Sequence, residues 1–253
     1  MKCDLHIHSV LSPCGSLEMS PSNIVEKARQ IGLDLIALTD HNSARNCRAL
    51  KQYIENNDLA DIKALYGIEA QSSEEVHAIC LFEKLEDAEN FGDYLKENLP
   101  RIENDEELFG MQLVVDDKEE IIDRENILLS NSLKINLKLL VDKVEEYGGL
   151  VIPSHVFRES FGLIEQLGFI PDSVKKHCPG VEVSYSNWTK DFPKYKTEDS
   201  SFLCFSDAHT LDEIGACYTN FKIREASIEE LKLAIENRKG RGIESVFLQD
   251  KGK

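Results

Sequence analysis

Residues 1–8 read Met1-Lys2-Cys3-Asp4-Leu5-His6-Ile7-His8, an apolar run in which two histidines flank an isoleucine. Successive side chains of an extended strand point to opposite faces, so His6 and His8 share one side and can share one ion. Working outward, comparable runs recur at 33–41 (LDLIALTDH), 62–70 (IKALYGIEA), 76–82 (VHAICLF), 149–155 (GLVIPSH), 180–186 (GVEVSYS) and 201–209 (SFLCFSDAH). Their length and near-continuous apolarity predict buried strands. Amphipathic stretches separate most of them. Ser20-Pro21 with Ile24, Val25, Ala28 and Ile31 supplies a cap, a first-turn proline and an apolar face, and a second stretch spans about 134–147. Ser227 to Glu230, a capping-box pattern, opens a third. This alternation predicts an α/β fold with β/α crossovers and a mostly parallel sheet, at this length a single β/α barrel domain over 1–253.

The 253 residues carry a formal charge of −17, which argues against a nucleic-acid or anionic-membrane surface because such partners need concentrated Lys and Arg. Residues 83–126 hold 16 acidic and 5 basic side chains. Their weak periodicity reads as an acidic insertion over one end of the barrel, either a cap on its mouth or a solvated helical hairpin. The seven cysteines show no paired spacing and read as thiols of a reducing compartment. With no membrane-length apolar run and no signal-peptide core, a cytoplasmic location is expected. The oligomeric state is not legible.

Six of the seven histidines fall at or near strand ends, and the C-terminal strand ends of a β/α barrel converge on the face where active sites form. His41 follows Thr39-Asp40, Glu69 follows Gly67-Ile68, His155 follows Pro153-Ser154, and Ser206-Asp207-Ala208-His209 repeats the alternating pair. His77 lies early in its run. It returns to the same mouth if residues 70–75 reverse the chain, making 76–82 antiparallel to 62–70. Imidazoles and carboxylates together suit Zn, Mn or Fe. Asp40, adjacent to His41, should point the other way and act as a partner that orients an imidazole or holds the strand end. Glu182 lies inside its strand, with a structural pair and a catalytic role both open, and His177 is expected at the surface. Arg45 and Arg158 follow His41 and His155 closely enough to lean over the mouth and meet a phosphate, or else to cap a helix or pair at the surface.

The series Asp4-Leu5-His6-Ile7-His8-Ser9, Leu38-Thr39-Asp40-His41-Asn42, Glu69, His77, His155 and Ser206-Asp207-Ala208-His209 resembles the polymerase and histidinol phosphatase (PHP) domain family, in order and spacing, over nearly the whole chain outside 83–126. The resemblance implies a distorted seven-stranded (β/α)7 TIM-like barrel, two or three divalent transition-metal ions and hydrolysis of a phosphoester. It places His6, His8, Glu69 and Asp207 around one ion, with Glu69 bridging to a second held by His77 and His155. His41, His209 and the residue six after His8 would hold a third. That residue is Asp or His in many relatives and Cys14 here, a thiolate ligand for Zn or Fe or else a packed neutral thiol. The expected substrate is a small-molecule phosphomonoester or phosphodiester, attacked by metal-activated water, with Glu69, Asp207, Arg158 and Arg45 taking part. Two rival readings remain. An amidohydrolase acting on a C–N bond would add a strand-end lysine, which no run supplies, and a non-catalytic metal-binding regulatory module would need no reaction at all.

Overall fold

The computed structural model describes residues 1–190 and 201–249. The seven apolar runs become β1 (Lys2–Ile7), β2 (Leu35–Leu38), β3 (Lys63–Gln71), β4 (His77–Phe82), β7 (Leu150–Pro153), β8 (Gly180–Glu182) and β9 (Ser201–Leu203). Four further strands are present: β5 (Leu113–Val115), β6 (Ile121–Arg124), β10 (Cys217–Lys222) and β11 (Gly242–Leu248). The helices are α1 (Pro21–Gln30), α2 (Cys47–Asn56), α3 (Leu85–Asn98), α4 (Leu137–Glu146), α5 (Leu163–Leu167), α6 (Asp172–His177), α7 (Tyr185–Lys190) and α8 (Ile228–Ile235).

The capping signals act as read, with one difference. Ser20 accepts the Asn23 N–H at the start of α1, with Pro21 in the first turn. Ser227 likewise accepts from Glu230 N, but the Glu230 carboxylate turns away to Arg241 and the Arg224 N–H, so the box is half formed.

A seven-stranded sheet runs in the order β11-β10-β1-β2-β3-β4-β7. β1, β2 and β3 are parallel, and the chain reverses after β3 so that β4 pairs antiparallel with it, Gln71 opposite His77. β8 and β9 form a separate parallel pair. This pair packs beside β7 and meets β1 at one bridge, Ile7 with Ala208. The hydrogen-bonded ladders therefore draw a curled half-barrel and not the closed seven-stranded barrel expected. β8 and β9 are three residues each, too short to carry a ladder around the circle.

Side-chain alternation connects core to site. Leu65, Ile79, Leu81, Leu203 and Phe205 belong to one buried cluster, plugged by Ile228, Leu231, Ala234 and Ile235 of α8. Residues of the same parity further along these strands are Glu69, His77 and Asp207. β1 needs an extra device. Cys3 and Leu5 face this cluster, whereas Ile7 faces the helical layer. The pairing of β1 with β2 slips between Asp4 and Ile7, which exchanges the faces and sends His6 and His8 inward.

The acidic segment divides in two. Residues 85–98 form α3, whose Ala88, Phe91 and Leu95 are fully buried, with the helix packed against β3 and β4, so this half is an amphipathic helix of the sheet's outer layer. The rest forms the β5–β6 hairpin, sewn to the loops after β1 and β2: Leu113 N donates to Val10 O, and Asn46 bonds both Leu113 O and Val115 N.

Candidate metal centre

The loops and strand ends bring all nine expected ligands together. Glu69 lies at the middle, 1% exposed. Its Oε1 is 3.2 Å from His6 Nε2, 3.1 Å from His77 Nδ1 and 3.2 Å from His155 Nε2, and its Oε2 is 3.2 Å from His41 Nδ1. Asp207 Oδ1 faces His6 Nε2 at 3.3 Å and His8 Nε2 at 3.4 Å. Donor atoms gather within 4.8 Å of one another in three overlapping groups: His6, His8 and Asp207; His41, Glu69 and His77; and His8, Cys14, His41 and His209. Cys14 Sγ lies 3.3 Å from His41 Nε2.

Buried polar atoms test whether ions fit. Glu69 Oε1, His41 Nδ1 and both ring nitrogens of His77 and of His155 make no hydrogen bond. An unpaired buried polar atom costs about 1–3 kcal/mol. Four of them, Glu69 Oε1, His41 Nδ1, His77 Nδ1 and His155 Nε2, meet in one cluster and are what divalent ions would satisfy, and the donor set of imidazole, carboxylate and thiol suits Zn, Fe or Mn.

The ring orientations are fixed from behind. Ser12 Oγ–H donates to Asp40 Oδ1 at 2.7 Å, so at 2.9 Å from His8 Nδ1 it must accept, leaving His8 Nε2 a bare lone pair toward the cluster. Asp40 also accepts from Ser9 N and Oγ. It is the orienting partner expected, acting through a hydroxyl. His209 Nδ1 donates to Asp207 O at 2.7 Å, freeing its Nε2. Glu182, fully buried, lies 3.1 and 3.0 Å from His6 Nδ1 through its two oxygens. The Phe161 ring stacks on His77 at 4.5 Å. Ser9, Ser12 and Phe161 were not singled out in the sequence. The spacing of Ser12 four after His8 is a usable signal, while nothing marks Phe161. Asn42, His155, Phe161 and Asp207 all hold positive φ (47, 28, 64 and 51°), a concentration of backbone strain around one mouth.

The two arginines part ways. Arg158 Nη1 donates to Asp207 Oδ2 at 3.1 Å from the rim. Arg45 instead pairs with Asp123 and Glu125 of the β6 region, because the hairpin offers two carboxylates where the mouth was expected. His177 pairs with Glu145 away from the cluster.

Without ions the electrostatics pull apart. Burial alone would lower His6, but Glu182, Asp207 and Glu69 raise it well above the usual imidazole range. Burial and His209 push His8 down to about 4, and burial with His8 lowers His41 further. Burial opposes ionisation of Glu69, yet His77 and His6 hold it well below the usual carboxylate range. Burial and the charge of Glu69 push the Cys14 thiol up to about 12.

Fold and site together define a metal-dependent hydrolase on a curled β/α sheet. The chain belongs to the PHP domain family, whose model matches residues 4–150, and a PHP-associated segment matches 205–239. No curated protein matches the chain. Among solved structures, the lesion-specific endonuclease PfuEndoQ from Pyrococcus furiosus superimposes with a TM-score of 0.71 at 20% identity, covering 97% of this chain and 58% of the endonuclease. The chain thus spans under two thirds of that enzyme's length. A Bifidobacterium adolescentis protein provisionally named a metal-dependent phosphoesterase gives 0.54 at 17% identity, covering 82% of this chain and 87% of that one. An amidohydrolase from Chromobacterium violaceum with bound sulfate and no metal gives 0.57 at 18%, covering 85% and 90%. The presence of an endonuclease among them corrects the exclusion of nucleic acid drawn from net charge: a chain of this fold can act on it. Among the described residues, no helix is long and apolar enough to cross a membrane.

Proposed function

We propose that the chain hydrolyses a small-molecule phosphate ester, mono- or diester, at two or three divalent ions held by His6, His8, Cys14, His41, Glu69, His77, His155, Asp207 and His209. The observation that carries this is the set of unpaired buried donors around Glu69. When bound, the ions supply positive charge to phosphoryl oxygens and lower the pKa of a water. The protein's own contribution is orientation. Ser12 and Asp207 O hold protons on the outer nitrogens of His8 and His209, so that lone pairs converge. Arg158, 44% exposed, offers a planar fork at the rim to an anionic substrate. Arg45, committed to Asp123 and Glu125, has no part in this reading.

A second reading, nuclease activity, draws on the fold shared with the endonuclease. A phosphatase screen with Mn, Fe and Zn, run beside lesion-bearing duplexes and with His6→Ala and Asp207→Ala controls, separates the two. Turnover of small phosphate esters that both substitutions abolish is the expected result. Cleavage confined to nucleic acid would favour the second reading, and reaction of amides alone would favour a C–N hydrolase.

A further inference from the structure

Glu182 ends β8 with its carboxylate fully buried, and among the described residues no Lys or Arg pairs with it. It meets two N–H donors. His6 Nδ1 lies 3.1 and 3.0 Å from its two oxygens, and the His155 main-chain N–H donates to Oε2 at 2.9 Å. The next amide, Val156 N, donates to the Glu182 carbonyl at 2.9 Å. These contacts reach both halves of the centre. His6 stands with His8 and Asp207, while His155 stands with Glu69 and His77, on a backbone bent to φ 28°.

We propose that Glu182 is the positioning residue that builds two ion subsites at once, fixing the tautomer of His6 and pinning the strained backbone at His155. The proposal rests on the reading of these histidines as metal ligands. An ionised carboxylate can only accept, so the proton stays on His6 Nδ1 and the Nε2 lone pair faces Glu69 Oε1 at 3.2 Å and Asp207 Oδ1 at 3.3 Å. A glutamine has nearly the same shape but carries a donor. Because both oxygens lie within 3.1 Å of Nδ1, either placement of its amide sets an NH2 against that nitrogen. The glutamine carbonyl oxygen can still accept from Nδ1–H, but the acceptor-only surroundings are gone, and the tautomer with the proton on Nε2, where it blocks an ion, is no longer disfavoured. Aspartate keeps the charge and the acceptor character. A carboxylate that merely fills space would make glutamine the harmless change and aspartate the harmful one, and the proposal reverses that order.

The test is a zinc titration of chelator-stripped wild type, Glu182→Gln and Glu182→Asp, read by calorimetry, with histidine 15N–1H correlation spectra of the zinc-loaded proteins. Wild type is expected to bind two or three ions with His6 protonated on Nδ1. Glu182→Gln should lose about 10–100-fold in affinity for the ion at His6, and Glu182→Asp should recover most of the loss. A folded Glu182→Gln protein with wild-type zinc affinity overturns the proposal. If that variant does not fold, an aspartate variant with no better affinity than Glu182→Ala overturns it as well. A wild type that binds no zinc, Fe or Mn contradicts the metal-centre reading itself, a failure visible before any variant is compared.

Discussion

At the scale of single residues, Cys14 decides how many ions the centre holds. Its thiol sits 3.3 Å from His41 Nε2, within a group that also includes His8 and His209. Although Cys14 is exposed at the rim, desolvation of its sulfur by the surrounding loop and the charge of Glu69 push the thiol up to about 12, so a bound cation favours the thiolate by displacing the proton. Cys14→Ala is expected to remove one ion, measured by elemental analysis, and to leave those around Glu69 in place. An unchanged count would mark the thiol as packing only. Most ligands were legible from spacing alone, because a strand end fixes where a side chain points. Glu182 was not, since its direction depends on where β8 begins and on the loop that folds His155 back over it. Nor was the destination of Arg45: four residues after a ligand it was free to turn either way, and the acidic hairpin claimed it.

At the scale of elements, α3 separates what the sequence hides from what it shows. The acidic surface of residues 85–98 masks a narrow apolar stripe of Ala88, Phe91 and Leu95, and this helix packed on the sheet reads from the sequence as part of an insertion. Phe91 is fully buried and packs on Phe82 at 5.2 Å between ring centres. Phe91→Ala should therefore cost about 3–5 kcal/mol in chemical denaturation, where a solvated hairpin would show almost no change. β10, flanked by β11 and β1 and buried on one face only, is not legible because Cys-Tyr-Thr-Asn-Phe-Lys lacks the near-continuous apolar run by which the other strands are read. In the hairpin segment, Gly110 has φ 102° and an added Cβ would fall 2.2 Å from Pro13 O, next to Cys14. Gly110→Ala is expected to lower the melting temperature, the left-handed backbone alone costing about 1–2 kcal/mol, and to weaken zinc binding at the Cys14 group more than at Glu69. Equal zinc affinity at both groups would show that the segment does not support the Cys14 loop.

At the scale of the whole molecule, five of the seven apolar runs are strands of the main sheet and the other two form the separate β8–β9 pair, and the incomplete circle is not legible, since closure depends on strands only three residues long. The C-terminal part is tied down by charge. Arg241 and the Arg224 N–H hold Glu230 at about 2, against an ordinary value of 4.5. A depressed carboxylate contributes stability above its unfolded value and loses it as the pH falls to its folded one. Glu230→Gln should accordingly melt lower than wild type at neutral pH, with the gap closing between about 4.5 and 2. A gap independent of pH would assign the effect to packing. The central claim is that the convergent donors around Glu69 form a metal centre. Anomalous diffraction from crystals of protein purified without chelator tests it most directly: two or three ions bounded by the nine named residues are predicted, and a mouth without anomalous density would contradict the account.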